Sequence, residues 1–350
     1  MALNPIPQNP SSADSAAATL RSALALKQFG GEVIAEFKEQ FKTRALHRVK
    51  TVAAGAKAAL FPALGGLSTK YHRAGDNILV DSSWLQTIAQ GDKSIFLDRE
   101  RLTAVVVDKV EEMIAYWDAR QEYTKEMAHA LAVEADKNVI RVLCRAARRR
   151  QAQSYTAAPQ GEFYDVTGDG GADETASEIV DGFAYARRVL MEKNIPQDGA
   201  FYGLITPATM EKLINSTAGR EAINADFNPP NGSIKEGFVG MLHGFQLIET
   251  NNFPTDDYDG VDHKIDGSTA GSEGNEYQED LSGTNAPVAL AFWGGAVASA
   301  IGSEISLETE RKIELRGDLL VAGYQMGHGE LRPEGVVELN NIAAAPTLAF

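Results

Sequence analysis

Near its C-terminal end the chain reads "YQMGHGELRPEGVVEL", residues 324–339. His328 stands between Gly327 and Gly329, and Glu330 follows two residues later. An imidazole beside a carboxylate can act as a general base or hold a metal ion. Glycines around a histidine can equally frame a tight turn between strands. The other histidines are His47, His72, His129, His243 and His263. No two share helical metal-ligand spacing, and there is no His-Glu-x-x-His. Neither a Gly-x-Ser-x-Gly elbow nor a strand-associated Gly-x-Gly-x-x-Gly occurs. Cys144 is the single cysteine. It rules out an intrachain disulfide and a thiolate zinc site, and it falls in a helical stretch where a buried thiol is expected.

Two further constellations point to ligands. Thr255, Asp257, Asp259, Gly260 and Asp266 partly copy a calcium-binding loop. The first ligand position holds Thr and the last holds Asp in place of a bidentate Glu, so a solvated acidic loop fits better. Arg141, Arg145, Arg148, Arg149 and Arg150 gather at the end of a helix. They read as cations facing the helix C-terminal dipole before they read as a phosphate site. The expectation is therefore no catalytic residues, no cofactor and no metal. His328 is expected to be a structural turn residue, with Gly327 and Gly329 supplying the backbone freedom. The rival reading is an enzyme using His328 and Glu330, and it lacks partner groups.

The elements around these residues are unusual. The chain has 350 residues and a net charge of −15. Such an acidic chain is poorly suited to wrap nucleic acid and repels its own copies at long range. Residues 1–13 read as a flexible arm without the features of a secretory signal. The uncharged stretch 281–303 holds Pro287 and many small residues, and it reads as buried strands, not a membrane span. Residues 45–64 and 78–97 read as strands around a polar tip, an extended hairpin with little core of its own. Residues 108–149 contain no Pro and no Gly, which predicts a rod of roughly 60 Å with an apolar stripe over a third of its girth. A helix capped by Asp173 follows to about residue 193, then a mixed α/β section. Segment 251–287 interrupts it with nine acids against one base, Lys264, and reads as a solvated loop.

The blocks "LKQFGGEVIAEF" (26–37), "AAGAKAALFPALG" (53–65), "YHRAGDNIL" (71–79), "YWDARQEYTKEMAHALAVEAD" (116–136), "FYGLITPATMEKLI" (201–214) and "YQMGHGELRPEG" (324–335) stand in one order. In them the chain resembles the major capsid proteins of short-tailed, podovirus-type bacteriophages. The resemblance implies an α+β, HK97-like capsid fold. Its parts would be an N-terminal arm (1–47), an extended hairpin loop (48–98), a peripheral domain with a long spine helix (99–179), an axial domain (180–300) and peripheral return strands with a C-terminal tail (301–350). It also implies self-assembly into pentamers and hexamers of an icosahedral head, enclosing double-stranded DNA by confinement. Partners would be a scaffolding protein, a portal protein and decoration proteins, with no membrane. The site would be the virion capsid, after assembly in host cytoplasm. An encapsulin-like compartment shell is the alternative on the same fold. Neighbour contacts are expected at Phe29 on the arm and at Phe61, Tyr71, Arg73 and Trp84 on the hairpin, with local packing as the rival role for Phe61 and Trp84.

Overall fold

A computed structural model describes residues 41–53, 55–64, 69, 71–72, 90–108, 119–148, 160–166, 174–216, 240–255, 257–258, 275, 277, 279–314 and 316–341. In chain order the elements are β1 (Arg48–Thr51), β2 (Ala58–Leu64), β3 (Gln90–Phe96), β4 (Arg101–Asp108), α1 (Ala119–Arg148) and β5 (Glu162–Asp165). Next come α2 (Ala176–Glu192), β6 (Phe201–Ile205), α3 (Pro207–Asn215), β7 (Met241–Leu242), β8 (Phe245–Glu249), β9 (Asp257–Tyr258) and β10 (Glu279–Asp280). The last are β11 (Pro287–Trp293), β12 (Val297–Lys312), β13 (Gly317–Glu330) and β14 (Val336–Asn340).

The chain divides into two units. One comprises residues 1–41, 100–135 and 303–325, the other residues 42–99, 136–302 and 326–350. In the first, β4 pairs antiparallel with β13 from Gly317↔Asp108 to Tyr324↔Arg101. The long helix was expected to begin at Asp108; instead Asp108 ends strand β4, and residues 109–118 lie outside the described residues. The run Thr103, Val105, Val106, Val107 explains this, because β-branched side chains lose rotamer freedom in a helix and pack well on a pleat.

The second unit holds a six-stranded sheet in the order β5-β14-β11-β6-β8-β7. Every residue of its central strand β11 is buried, as the unbroken apolar run PVALAFW requires. Helices α2 and α3 contribute Ile179, Phe183, Leu190, Met210 and Leu213 to a core shared with Phe201, Phe245 and Leu339. Phe245 packs against Phe183 and Phe201, each with ring centroids 5.8 Å apart. Burying each of these rings contributes about 2 kcal/mol. The cap of α2 is Thr175 and not Asp173. Thr175 Oγ1 accepts from the Glu178 amide, and the Glu178 carboxylate accepts from the Thr175 amide, a reciprocal capping box.

Helix α1 departs from the expected narrow stripe. From Ala135 to Arg148 only Lys137 and Arg145 are not buried. Ala135, Ala146 and Ala147 let neighbours approach, and the polar residues Asp136 and Arg148 carry their own partners. No helix among the described residues is long and apolar enough to cross a membrane.

Candidate functional site: the base of the hairpin

The described part of the hairpin is the antiparallel ribbon of β2 and β3, in register from Ala58↔Phe96 to Leu64↔Gln90. Alternation gives it two faces. Ala59, Ile95 and the half-buried Phe61 pack inward with Leu97, Ala298, Ala300, Val52 and Leu331. Leu60, 55% exposed, and Pro62 point outward. Phe61 packs in part against this core, and its ring also lies 5.1 Å from the Lys50 ammonium. The neighbour on the chain, Leu60, is the bare apolar residue. Tyr71 is fully exposed. Phe29, Arg73 and Trp84 lie outside the described residues.

The ribbon is seated on the very stretch with the glycine-flanked histidine. Residues 327–329 were expected to form a turn; they lie within strand β13. Neither Gly327 nor Gly329 is among the glycines with positive φ. They are needed for approach, not for backbone freedom. A Cβ built on Gly327 would overlap the Phe96 carbonyl oxygen, and one on Gly329 would stand 2.9 Å from Ile95 Cγ1. After β13, Arg332-Pro333 opens a short 3-10 turn at Pro333–Gly335 before β14.

Two residues from the end of the acidic segment, Asn275 and Tyr277, complete the seat. Asn275 Oδ1 accepts from the Phe96 amide at 3.1 Å, and Asn275 Nδ2 donates to the Phe96 carbonyl at 2.6 Å. One side chain thus reads both backbone groups of the last ribbon residue, as a paired strand would. Asn275 Nδ2 also donates to Asp98 Oδ1 at 2.9 Å, and Tyr277 Oη donates to Asp98 Oδ2 at 2.6 Å. The His328 amide donates to Tyr277 Oη at 2.8 Å. Burial, together with the Asp98 charge, holds the Tyr277 phenol well above its ordinary range. The segment 251–287 was expected to be solvated throughout. Its buried Asn275, Tyr277 and Glu279 correct that reading.

His328 continues into a second chain of hydrogen bonds. The His47 Nδ1 lies 2.7 Å from the Thr43 carbonyl, which can only accept, so Nδ1 carries the proton. His47 Nε2, at 2.5 Å from Ser299 Oγ, then accepts the hydroxyl proton. Ser299 Oγ in turn accepts from His328 Nδ1 at 2.7 Å. Burial lowers the His47 value from 6.5 to about 4, which keeps the ring neutral. A hydroxyl between two imidazoles resembles a nucleophile with its base. Here Ser299 is 2% exposed and His328 is 1% exposed, so a substrate has no approach. Glu330 pairs with Lys93 of the ribbon at 3.5 Å. Among the described residues no group of His, Cys, Asp and Glu could hold a metal ion.

The same segment 275–280 also closes a second cluster. Arg148 Nε and Nη2 donate to the two Glu338 oxygens at 2.8 and 2.6 Å. Its Nη1 donates to Glu279 Oε1 and the Asp280 carbonyl, and Nη2 donates to the Asn285 carbonyl. All five donors of the guanidinium are used. Burial alone would lower the Arg148 value, but Glu338 and Glu279 raise it; burial raises both carboxyls against the pull of Arg148. The arginine run was expected to face the helix dipole or a phosphate. Arg148 instead forms an internal ion cluster. Burial also pushes the Cys144 thiol well up, so it is no nucleophile.

Sequence reasoning missed His47, Ser299, Asp98, Asn275 and Tyr277. No apolar alternation marks residues 275–280, where Tyr277 alone is aromatic among polar neighbours, so the sequence offered no period-two signal for them.

The described ribbon of β2 and β3 is thus held at its base by Gly327, Asn275 and Tyr277. The capsid of cyanophage P-SCSP1u matches with a TM-score of 0.68 and 26% identity, over 84% of this chain and 86% of that one. The mature capsid of bacteriophage PhiM1 shares the fold with a TM-score of 0.65 and 17% identity, over 85% and 87%. The class is a structural shell protein with the HK97-like capsid fold. The family model described as Gp10A-like major capsid protein matches residues 60–340, and the chain belongs to that family. Its relatives include the major capsid protein of Escherichia phage T7, 27% identical over 330 residues, 89% of this chain and 90% of that protein. The major capsid protein of Enterobacteria phage T3 is 27% identical over 349 residues, 89% and 90%.

Proposed function

We propose that copies of this chain form the pentamers and hexamers of an icosahedral head that confines double-stranded DNA, each hairpin reaching over a neighbour. The division is arm 1–47, hairpin 48–98, peripheral domain 99–179, axial domain 180–300 and return strands 301–350. The observation that carries the reading is the ribbon: one face is packed and keyed to Gly327 and Gly329, while Leu60 and Pro62 on the other are bare. Closed symmetry multiplies many such weak contacts into a stable shell. Phe29, Tyr71, Arg73 and Trp84 are further neighbour contacts. A scaffolding protein directs assembly in the host cytoplasm, a portal occupies one vertex, and decoration proteins bind outside. The role is mechanical and no catalytic residue takes part. Leu60→Asp tests the ribbon directly. The variant should fold, by circular dichroism and melting, yet give few shells by sedimentation and negative-stain microscopy. Wild-type yields of shells would show that this face is not a contact.

A further inference from the structure

The chain carries a net charge of −15, yet residues 42–57 hold Lys42, Arg44, Arg48, Lys50 and Lys57 and no carboxylate. Strand β1 lies within this run, and all four of its residues are exposed. Among the described residues it is an edge strand, neighboured in its sheet by β12 alone. Arg48 and Lys50 project to one face. The Arg48 guanidinium lies 5.9 Å from the Trp293 ring centroid. Lys50 lies over Phe61 and donates to the Leu60 carbonyl at 2.8 Å. Lys42 likewise donates to the Glu249 carbonyl. Ring faces and carbonyls order these cations without cancelling their charge. An open strand edge also offers backbone groups to an added strand. Cations in a row along an open edge fit an extended acidic peptide. A duplex could use the cations but not the edge.

Resting on the shell-forming reading, we propose that the cationic edge β1 docks the acidic run 256–273 of a second copy. That run holds Asp256, Asp257, Asp259, Asp262, Asp266 and Glu273 against Lys264. Copies this acidic repel one another, so close packing is favoured where opposite patches meet. One polypeptide supplies both patches in equal number.

Two folded variants of the full chain test this: Arg48→Glu/Lys50→Glu, and Asp256→Lys/Asp259→Lys/Asp262→Lys. Each alone places like charges at the contact, and shell yield should fall about ten-fold or more. An equimolar mixture, which restores opposite charges between unlike copies, should recover shells. If Arg48→Glu/Lys50→Glu does not fold, Arg48→Gln/Lys50→Gln replaces it, with a smaller loss relative to wild type that shrinks as salt rises. Wild-type yields from both variants overturn the proposal. So does a normal insert variant with a patch variant that loses binding to a duplex DNA fragment, which assigns the patch to nucleic acid. Rescue only when both sets share one chain places the pairing within a copy and overturns it too. A wild-type chain that forms no shell overturns the assembly reading beneath.

Discussion

Two buried polar clusters meet at residues 275–280, and they are built on opposite plans. Around Arg148 the cluster is ionic, with one guanidinium against Glu338 and Glu279 and every donor used. Along His47, Ser299 and His328 it is neutral, and one carbonyl at Thr43 sets the positions of the protons. The ionic cluster ties the end of α1 to β14 and β10. The neutral one ties β12 and β13 to the 3-10 turn at Lys42–Leu46. Asn275 and Tyr277 then join it to the hairpin. Charge gives strength that fails badly when one partner is lost. A neutral chain gives register, and it is vulnerable to a proton.

The largest expected break is Arg148→Met. It leaves Glu338 and Glu279 buried without their cation and should cost about 3–5 kcal/mol in denaturant unfolding. Adding Glu338→Leu and Glu279→Leu should recover much of that loss. No recovery would mean that the cluster does more than neutralise itself.

Acid should act on the other cluster. His47 has a folded value of about 4 against an ordinary 6.5. Between those values the unfolded chain binds a proton that the folded chain refuses. This contribution is therefore complete above about pH 6.5 and falls as pH drops toward 4, by about 3 kcal/mol at most. Denaturant midpoints measured across that window should slope, and His47→Gln should flatten the slope. An equal slope in both proteins assigns the acid sensitivity elsewhere.

Asn275→Ala is the subtler cut. It strips the Phe96 amide and carbonyl and Asp98 of one shared partner, at a cost of about 1–3 kcal/mol. Amide exchange should quicken at Phe96 and along β3 while the β11 core stays protected. Uniform quickening would mean that the hairpin base is not a separate unit of stability.

Much of this was readable in the residues. The mixed α/β section expected after about residue 193 corresponds to the six-stranded sheet with α2 and α3. Family resemblance supplied the capsid fold. What resisted reading was long-range approach. Gly327 and Gly329 look like turn glycines until the Phe96 carbonyl is seen against the first and the Ile95 side chain against the second. Hydrophobicity does not say which face of a two-stranded ribbon is covered within the chain; for Phe61 that is decided by Ala298 and Ala300, far away in sequence. Arg148 looks like a dipole cation because its partners lie 131 and 190 residues on. Asn275, Tyr277 and Glu279 lie among acids and carry no apolar period, so their burial shows only in the fold.

The central claim is that close approach at Gly327, and not the chemistry of His328, fixes the hairpin for shell formation. The direct measurement is shell yield, by sedimentation and negative-stain microscopy, for Gly327→Val beside His328→Asn. A valine forces Phe96 away, which costs about 1–3 kcal/mol or more and misdirects the ribbon. An asparagine keeps an N–H for Ser299. Shells from His328→Asn but not from Gly327→Val are predicted; shells from Gly327→Val but not from His328→Asn would contradict the account.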